Sequence, residues 1–333
     1  MTDWRGAFAL QAEACRALAA PQTAELCEAL ARAVADDPGP VGDRIRNWQG
    51  DPSYHGDSVP LRLNSAMQAL VLTGALPSAP TEPDHIIETF QDYESWFLEW
   101  LEHAPQTNEV GRAAVLITAC WFLSSIWYRD FDLLELGASA GLNLNFPLYD
   151  INKNKNDDAA VNLTPEWRGT RPVSMPVLFG AARGVDLNPL DARQDALRLM
   201  AYVWPDQPQR LERLREALKI AARHPPQVDR GDAGSWLVDR LGQPPVRGRF
   251  VYHTVAAQYF PPATRAMIET ALQKAGAATT AGKPLCHFSM EADGASGTAL
   301  HLRLWDRGRM RHWHLGRAHA HAQWIDWQPK ETA

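Results

Sequence analysis

From residue 130 onward, short apolar runs that end in Gly, Asp or His alternate with helical stretches. No other feature of the chain constrains its fold as much. The runs are 131–137 (FDLLELG), 183–189 (RGVDLNP), 227–233 (QVDRGDA), 249–255 (RFVYHTV), 284–290 (PLCHFSM) and 299–305 (ALHLRLW). Between them, 207–223 places Leu211, Leu214, Leu218 and Ala221 on one helical face, and 262–275 carries another helical pattern. Strand–helix alternation of this kind predicts an α/β domain with a mostly parallel sheet, with room for antiparallel strands late in the chain.

Residues 1–130 read differently. Ile86, Ile87, Phe90, Tyr93, Phe97, Trp100 and Leu101 recur at three and four and predict one helix between Pro83 and Pro105. A further helix is expected from Thr107-Asn108, both good N-caps, through the apolar run 114–127, and earlier ones over 4–19, 22–35 and 60–73. The expected organisation is an all-helical region over 1–130 and an α/β domain over 131–333. Polar residues at about 146–176, with Asn-Lys-Asn-Lys-Asn-Asp-Asp at 152–158, interrupt the alternation and read as an insertion.

Composition narrows the function classes. The 333 residues include 13 Trp, 10 Phe and 7 Tyr, enough apolar area for a core. A net charge of −6 argues against general phosphate attraction, so no nucleic-acid partner is expected. Cys15, Cys27, Cys120 and Cys286 stand far apart and read as reduced, buried thiols. The first twenty residues have no signal-type apolar stretch, and the run 113–123 is shorter than the ~20 residues a bilayer span needs. A cytoplasmic protein acting on a small molecule, with no membrane partner, is the expectation.

The segment 133–145 (LLELGASAGLNLN) takes a buried strand into a small-residue turn. In an open α/β sheet, ligands bind beyond the carboxyl ends of the strands, so chemistry is expected here. Gly137-Ala138-Ser139-Ala140-Gly141 fits the G-x-S-x-G of a nucleophile elbow, which would make Ser139 the nucleophile of a serine hydrolase. Asp239 or Asp293 with His301 or His319 could complete a triad, but no HGGG-like oxyanion segment precedes it. A purely structural strand–turn–helix is a third explanation.

The same residues, Glu135-x-Gly137-x-Ser139-x-Gly141, resemble the E/D-x-G-x-G-x-G loop of class I S-adenosylmethionine-dependent methyltransferases, with Ser139 in place of the middle glycine. That resemblance implies that Glu135, Gly137, Ala138, Ser139 and Gly141 line a S-adenosylmethionine site. It implies further that Asp186 holds the ribose hydroxyls, Asp232 meets the adenine amino group and Ala233 packs on the ring. His253, near Tyr259, would then lie beside the methyl group and the acceptor, which makes both candidates for catalysis. Asp186 follows Glu135 by 51 residues, where such a carboxylate usually comes about 20 residues on. The insertion must absorb the excess.

Two further clusters admit two readings each. Thr107-Asn108-Glu109 is either a helix cap with an acidic first turn or, with Arg112, a grip on the cofactor's methionine carboxylate. His312-x-His314 and His319-x-His321 suggest a metal, yet Arg303, Arg307, Arg309, Arg311 and Arg317 surround them, and a hairpin anchored by Trp313, Trp324 and Trp327 is the expectation, without metal.

Over nearly its full length the chain is similar to the bacterial family known as domain of unknown function 2332. The likeness rests on 106–112 (QTNEVGR), 137–143 (GASAGLN), Gly184-Val185-Asp186-Leu187, Val203-Trp204-Pro205-Asp206-Gln207, His253-Thr254 with Gln258-Tyr259, and His319-x-His321 with Trp324. Gln68 and Ala322 depart from it. The resemblance implies a Rossmann-like methyltransferase-type sheet after an all-helical N-terminal region, and it brings no activity with it. The residues point to a S-adenosylmethionine-binding methyltransferase, with a serine hydrolase and a non-catalytic cofactor-binding protein as alternatives.

Overall fold

A computed structural model describes residues 2–126, 128, 130–151 and 161–332. The chain divides into two compact units, Met1–Thr107 with Asp195–Glu212, and Asn108–Gln194 with Arg213–Ala333. The boundary expected near residue 130 falls instead at Asn108.

The first unit is built from α1 (Trp4–Ala17), α2 (Pro21–Asp36), α3 (Pro40–Arg46), α4 (Val59–Leu72), α5 (Pro83–Asp92) and α6 (Glu94–Glu102). Asp3 caps α1 by accepting from the Gly6 amide at 2.8 Å, and proline opens α2, α3 and α5, where its missing N–H costs nothing. The single helix expected between Pro83 and Pro105 is broken at Tyr93. In a straight helix Phe90 and Phe97 would stand ~10 Å apart along the axis. The break brings their rings to 4.9 Å, edge to face, in a core with Phe8, Leu30, Ile45 and Leu63.

The second unit begins with a 3-10 turn, Val110–Arg112, and α7 (Ala113–Ser125), then β1 (Asp130–Leu136), β2 (Asp150–Ile151), β3 (Asn162–Leu163), β4 (Glu166–Gly169) and β5 (Leu178–Asp186). Next come α8 (Ala196–Ala201), which lies in the first unit's share of the chain, and α9 (Pro208–Arg223). The chain ends with β6 (Val228–Arg230), α10 (Ala233–Gly242), β7 (Gly248–Thr254), α11 (Pro262–Ala277), β8 (Leu285–Glu291), β9 (Thr298–Asp306), β10 (Arg309–Ala318) and β11 (Trp324–Thr332). Each of the six runs read from the sequence carries a strand.

Among the described residues one sheet has nine strands, in the order β4-β11-β10-β9-β8-β7-β1-β5-β6. The half from β6 to β8 is parallel, and β8 to β11 is an antiparallel meander. This is the mixed α/β sheet after a helical region that the sequence predicts. One face packs Leu134, Leu136, Val185, Val251 and Leu285 against Trp236, Leu237, Ile268 and Leu272 of α10 and α11. On the other, Phe122 of α7 sits edge-on to Trp313 and Trp327. The expected insertion ends in an edge strand, because β4 pairs in parallel with β11. Its Asn- and Lys-rich tract, 152–158, lies outside the described residues, as does Trp127.

Candidate active site

Chain order reverses between β1 and β7. β1 feeds its neighbour β5 on one side, while β7 lies on the other side. Connections leave in opposite directions at such a point, which opens a crevice at the carboxyl ends of the strands. The GASAG turn stands there. Gly137 (φ +72°), Ser139 (φ +53°) and Gly141 (φ +70°) take left-handed backbone, a conformation that strains the serine. A side chain at Gly137 would come within 2.8 Å of Ala256 Cβ. The turn continues into a 3-10 segment, Leu142–Leu148, with Pro147 inside, where an α-helix was expected.

The turn's amides have protein acceptors. Gly137 and Ala138 donate to the Val185 carbonyl at 2.9 and 3.0 Å, Ser139 to Asp186 Oδ2 at 2.8 Å, and Gly141 to the Ala138 carbonyl at 2.7 Å. Leu142 donates to Asn108 Oδ1 at 2.8 Å. The 51-residue gap is closed by β-pairing, since Glu135 lies beside Gly184 in register. Asp186 therefore touches the loop despite its distance in sequence. Its other oxygen, Oδ1, accepts from the Asn188 amide at 2.9 Å.

Beneath the turn, burial pushes the Glu135 carboxyl well above the usual carboxylate range, with help from the charge of Asp186 and against the bond from Tyr252 and the charge of Arg112. Tyr252 Oη reaches Glu135 Oε2 at 3.4 Å and the Asn143 carbonyl at 3.2 Å. Ser139 Oγ and Asn143 Oδ1 are buried and have no hydrogen-bond partner among the described residues. Such orphans are expensive without a ligand or water.

Two of the segments that carry the family resemblance, 106–112 and 137–143, are in contact. Asn143 Nδ2 donates to the Glu109 carbonyl at 3.3 Å, alongside the Asn108–Leu142 bond. Thr107 and Asn108 do not cap the helix; Glu109 caps the 3-10 turn Val110–Arg112 before it, accepting from the Gly111 amide at 2.9 Å. Arg112 donates from Nε to the Ala320 carbonyl and from Nη1 to the Thr254 carbonyl, both at 2.9 Å. His319 and His321 thus belong to a turn held near the crevice by Arg112, outside the strands, while His312 and His314 lie in β10. Among the described residues no three His, Cys, Asp or Glu side chains are grouped to hold a metal ion.

Asp232 caps α10, its Oδ1 accepting from the Gly234 and Ser235 amides at 3.0 Å each and its Oδ2 from Thr264 Oγ1 at 2.5 Å. Its segment runs past Asp186 through β5–β6 pairing: Asp186 is in register with Arg230, and the Gly231 amide donates to the Asp186 carbonyl at 3.0 Å. Ala233 is buried behind it in the α10 core. His253, at the end of β7, pairs through Nδ1 with Glu291 Oε1 at 2.6 Å. The same oxygen accepts from the Ala256 and Ala257 amides at 3.0 and 3.2 Å. Burial would raise the Glu291 carboxyl, but these bonds and the imidazole outweigh it and hold it below its usual range. Val255, two residues after His253, has φ +52°, a strained state for a β-branched residue. Tyr259 is 77% exposed on the loop that follows.

Sequence reasoning passed over Glu291 because the apolar run was read as ending at Met290, one residue short. A cleft of about 340 Å³ opens on the other side of the turn, lined by Ala140, Leu190, Arg193, Ala221, Pro226 and Val228 among others. Its lining includes none of Glu135, Asp186, Asp232 or His253, so it adjoins the crevice without being the place where the polar groups converge.

Residues 5–327 match the model of a family described as an uncharacterized protein conserved in bacteria, DUF2332. The chain belongs to this family. No curated protein and no solved structure is similar to it at a significant level. Among the described residues no helix is long and apolar enough to cross a membrane.

Proposed function

We propose that this member of the family binds S-adenosylmethionine in the crevice between β1 and β7 and transfers its methyl group to a small molecule. The parallel half, numbered by chain order, runs 3-2-1-4-5, the order of doubly wound Rossmann-like sheets. The observation that carries the reading is the bond from the Ser139 amide to Asp186. It joins the loop after the first strand to the carboxylate ending the second. A carboxylate has about four lone-pair sites, so Asp186 retains capacity for ribose hydroxyls.

The donor set also favours a phosphate-free ligand. The amides of Gly137, Ala138, Ser139, Gly141 and Leu142 are committed to protein acceptors, which leaves little to cradle the pyrophosphate of a dinucleotide. Asp186, Asp232 and Ala233 would hold the nucleoside, with Glu135, Gly137, Ala138, Ser139 and Gly141 under the amino acid part. Asn108 and Arg112 brace that wall. When bound, the sulfonium supplies an electrophilic methyl group, and the chain contributes positioning.

Thermal shift tests this directly, because a ligand that binds only the folded state adds ~2.7 kcal/mol at a hundredfold excess over Kd. S-adenosylhomocysteine should stabilise the protein, and NAD(P) should not. Ser139's left-handed backbone within G-x-S-x-G supports one competitor, the serine hydrolase. Its Oγ, however, is buried and bonds to no described histidine, and a fluorophosphonate is expected to leave it unlabelled.

A further inference from the structure

We propose that His253 is a proton acceptor at the crevice, oriented by Glu291, and that the methyl acceptor carries a removable O–H or N–H proton. The proposal rests on the methyltransferase reading and extends it to the substrate class. Three observations carry it.

The first is geometric. Glu291 Oε1 gathers three donors: the Ala256 amide, the Ala257 amide and His253 Nδ1. An oxygen already receiving two N–H groups is an acceptor toward the ring, so Nδ1 carries a proton, and in the neutral ring the lone pair is on Nε2. Among the described residues nothing bonds to Nε2. Glu291 is thus a positioning residue, and His253 is the group that would meet substrate.

The second is location. The loop whose amides hold Glu291 is the one that lies on the glycine turn: Ala256 and the Phe260 ring are the nearest neighbours of Gly137. Phe260 is also 6.1 Å from the His253 ring. The pair therefore stands at the crevice, beside the turn. Val255, between His253 and Ala256, holds φ +52°, a strained conformation for a β-branched residue.

The third is electrostatic. The titratable ring beside His253 is His287 of β8, which is itself engaged by Arg303 of β9. Arg303 makes a two-bond contact with Glu269, at 2.7 and 2.8 Å, and donates to His287 at 3.0 Å. Burial above all, with the positive charge of Arg303, pushes the His287 imidazole well below its ordinary value. His287, 5.1 Å from His253, is no competing base for the crevice.

In the step, the acceptor's lone pair forms the new bond to methyl carbon while the carbon–sulfur bond breaks with its electrons going to sulfur. The acceptor's proton goes to His253 Nε2 and from there to water. The net products are the methylated acceptor, S-adenosylhomocysteine and one proton.

The experiment is nitrogen NMR of the full chain carrying labelled histidine, with and without S-adenosylhomocysteine, in wild type, Glu291→Gln and Glu291→Leu, beside calorimetry of the same ligand. Wild type should show His253 with Nδ1 protonated and Nε2 bare, and its signals should move when the ligand binds. Glu291→Gln keeps an oxygen before the two amides and should retain that tautomer, whereas Glu291→Leu should lose it. No heat of ligand binding would overturn the methyltransferase reading and this proposal with it. Ligand binding with His253 signals that stay still, or with Nε2 protonated, would overturn the proposal alone.

Discussion

The parallel and antiparallel halves of the sheet use similar residues to different ends. In the parallel half successive strands are joined by crossovers, so residues far apart in sequence end at one edge: Ser139 beside Asp186, Gly231 beside Asp186, His253 beside Glu291. In the antiparallel half consecutive strands meet by hairpins, and the charged groups pair with nearby partners on an open face. Arg317 with Asp293 and Arg311 with Glu331 are two-bond ion pairs of this kind. Strand direction decides which end of a strand gathers chemistry.

The largest effects that could break this comparison come from two glycines. Gly137→Ala forces a side chain into left-handed backbone against Ala256, and Gly316→Ala forces one onto the Asp326 carbonyl at φ +120°. Each should lower stability in urea by about 2–5 kcal/mol, adding backbone strain to overpacking. Only Gly137→Ala should also abolish S-adenosylhomocysteine binding in the protein that remains folded. Equal loss of binding in both would remove the distinction between the halves.

Next are two carboxylates with opposite pH signatures. Glu135 is raised by burial, so its folded form holds a proton that the unfolded chain releases. Stability from it is complete below its ordinary value near 4.5 and is lost as pH rises toward the folded value. Glu291 is lowered, so its contribution is complete above about 4.5 and is lost as pH falls. Glu135→Gln should flatten the first slope and Glu291→Gln the second, measured by denaturant unfolding across pH.

Ser139→Gly should sharpen the account with a smaller change. Relief of the positive φ and removal of a buried, unpartnered hydroxyl should raise stability by about 1 kcal/mol. Arg311→Ala, which removes an exposed ion pair of the meander, should change stability by less than ~1 kcal/mol and leave ligand binding untouched.

Much of this was legible in the sequence, and the rest was hidden for physical reasons. Apolar runs bounded by Gly and Asp mark β1, β7 and β8 because these strands are buried on both faces, while β5, β6 and β9, less fully buried, were legible from their place in the alternation. β10 and β11 were legible as a hairpin through Trp313, Trp324 and Trp327, although one of their faces carries His, Arg and Glu in water and the run is never purely apolar. β4 was hidden because its short, polar sequence is a strand only by pairing with β11. Asp186 was legible as a strand end, whereas its contact with Ser139 depends on which strand lies beside β1, and spacing alone argued against it. Asn108 and Arg112 were found for their chemistry, yet their partners, the Leu142 amide and the Thr254 and Ala320 carbonyls, are set by tertiary packing.

The central claim is that the parallel half binds S-adenosylmethionine through Asp186. Calorimetry of S-adenosylhomocysteine against wild type, Asp186→Ala and Asp293→Ala, each checked for native fold by circular dichroism, tests it most directly. The account predicts binding to wild type, at least tenfold weaker binding to Asp186→Ala and unchanged binding to Asp293→Ala. Absence of binding to wild type, or equal affinity for wild type and Asp186→Ala, would contradict it.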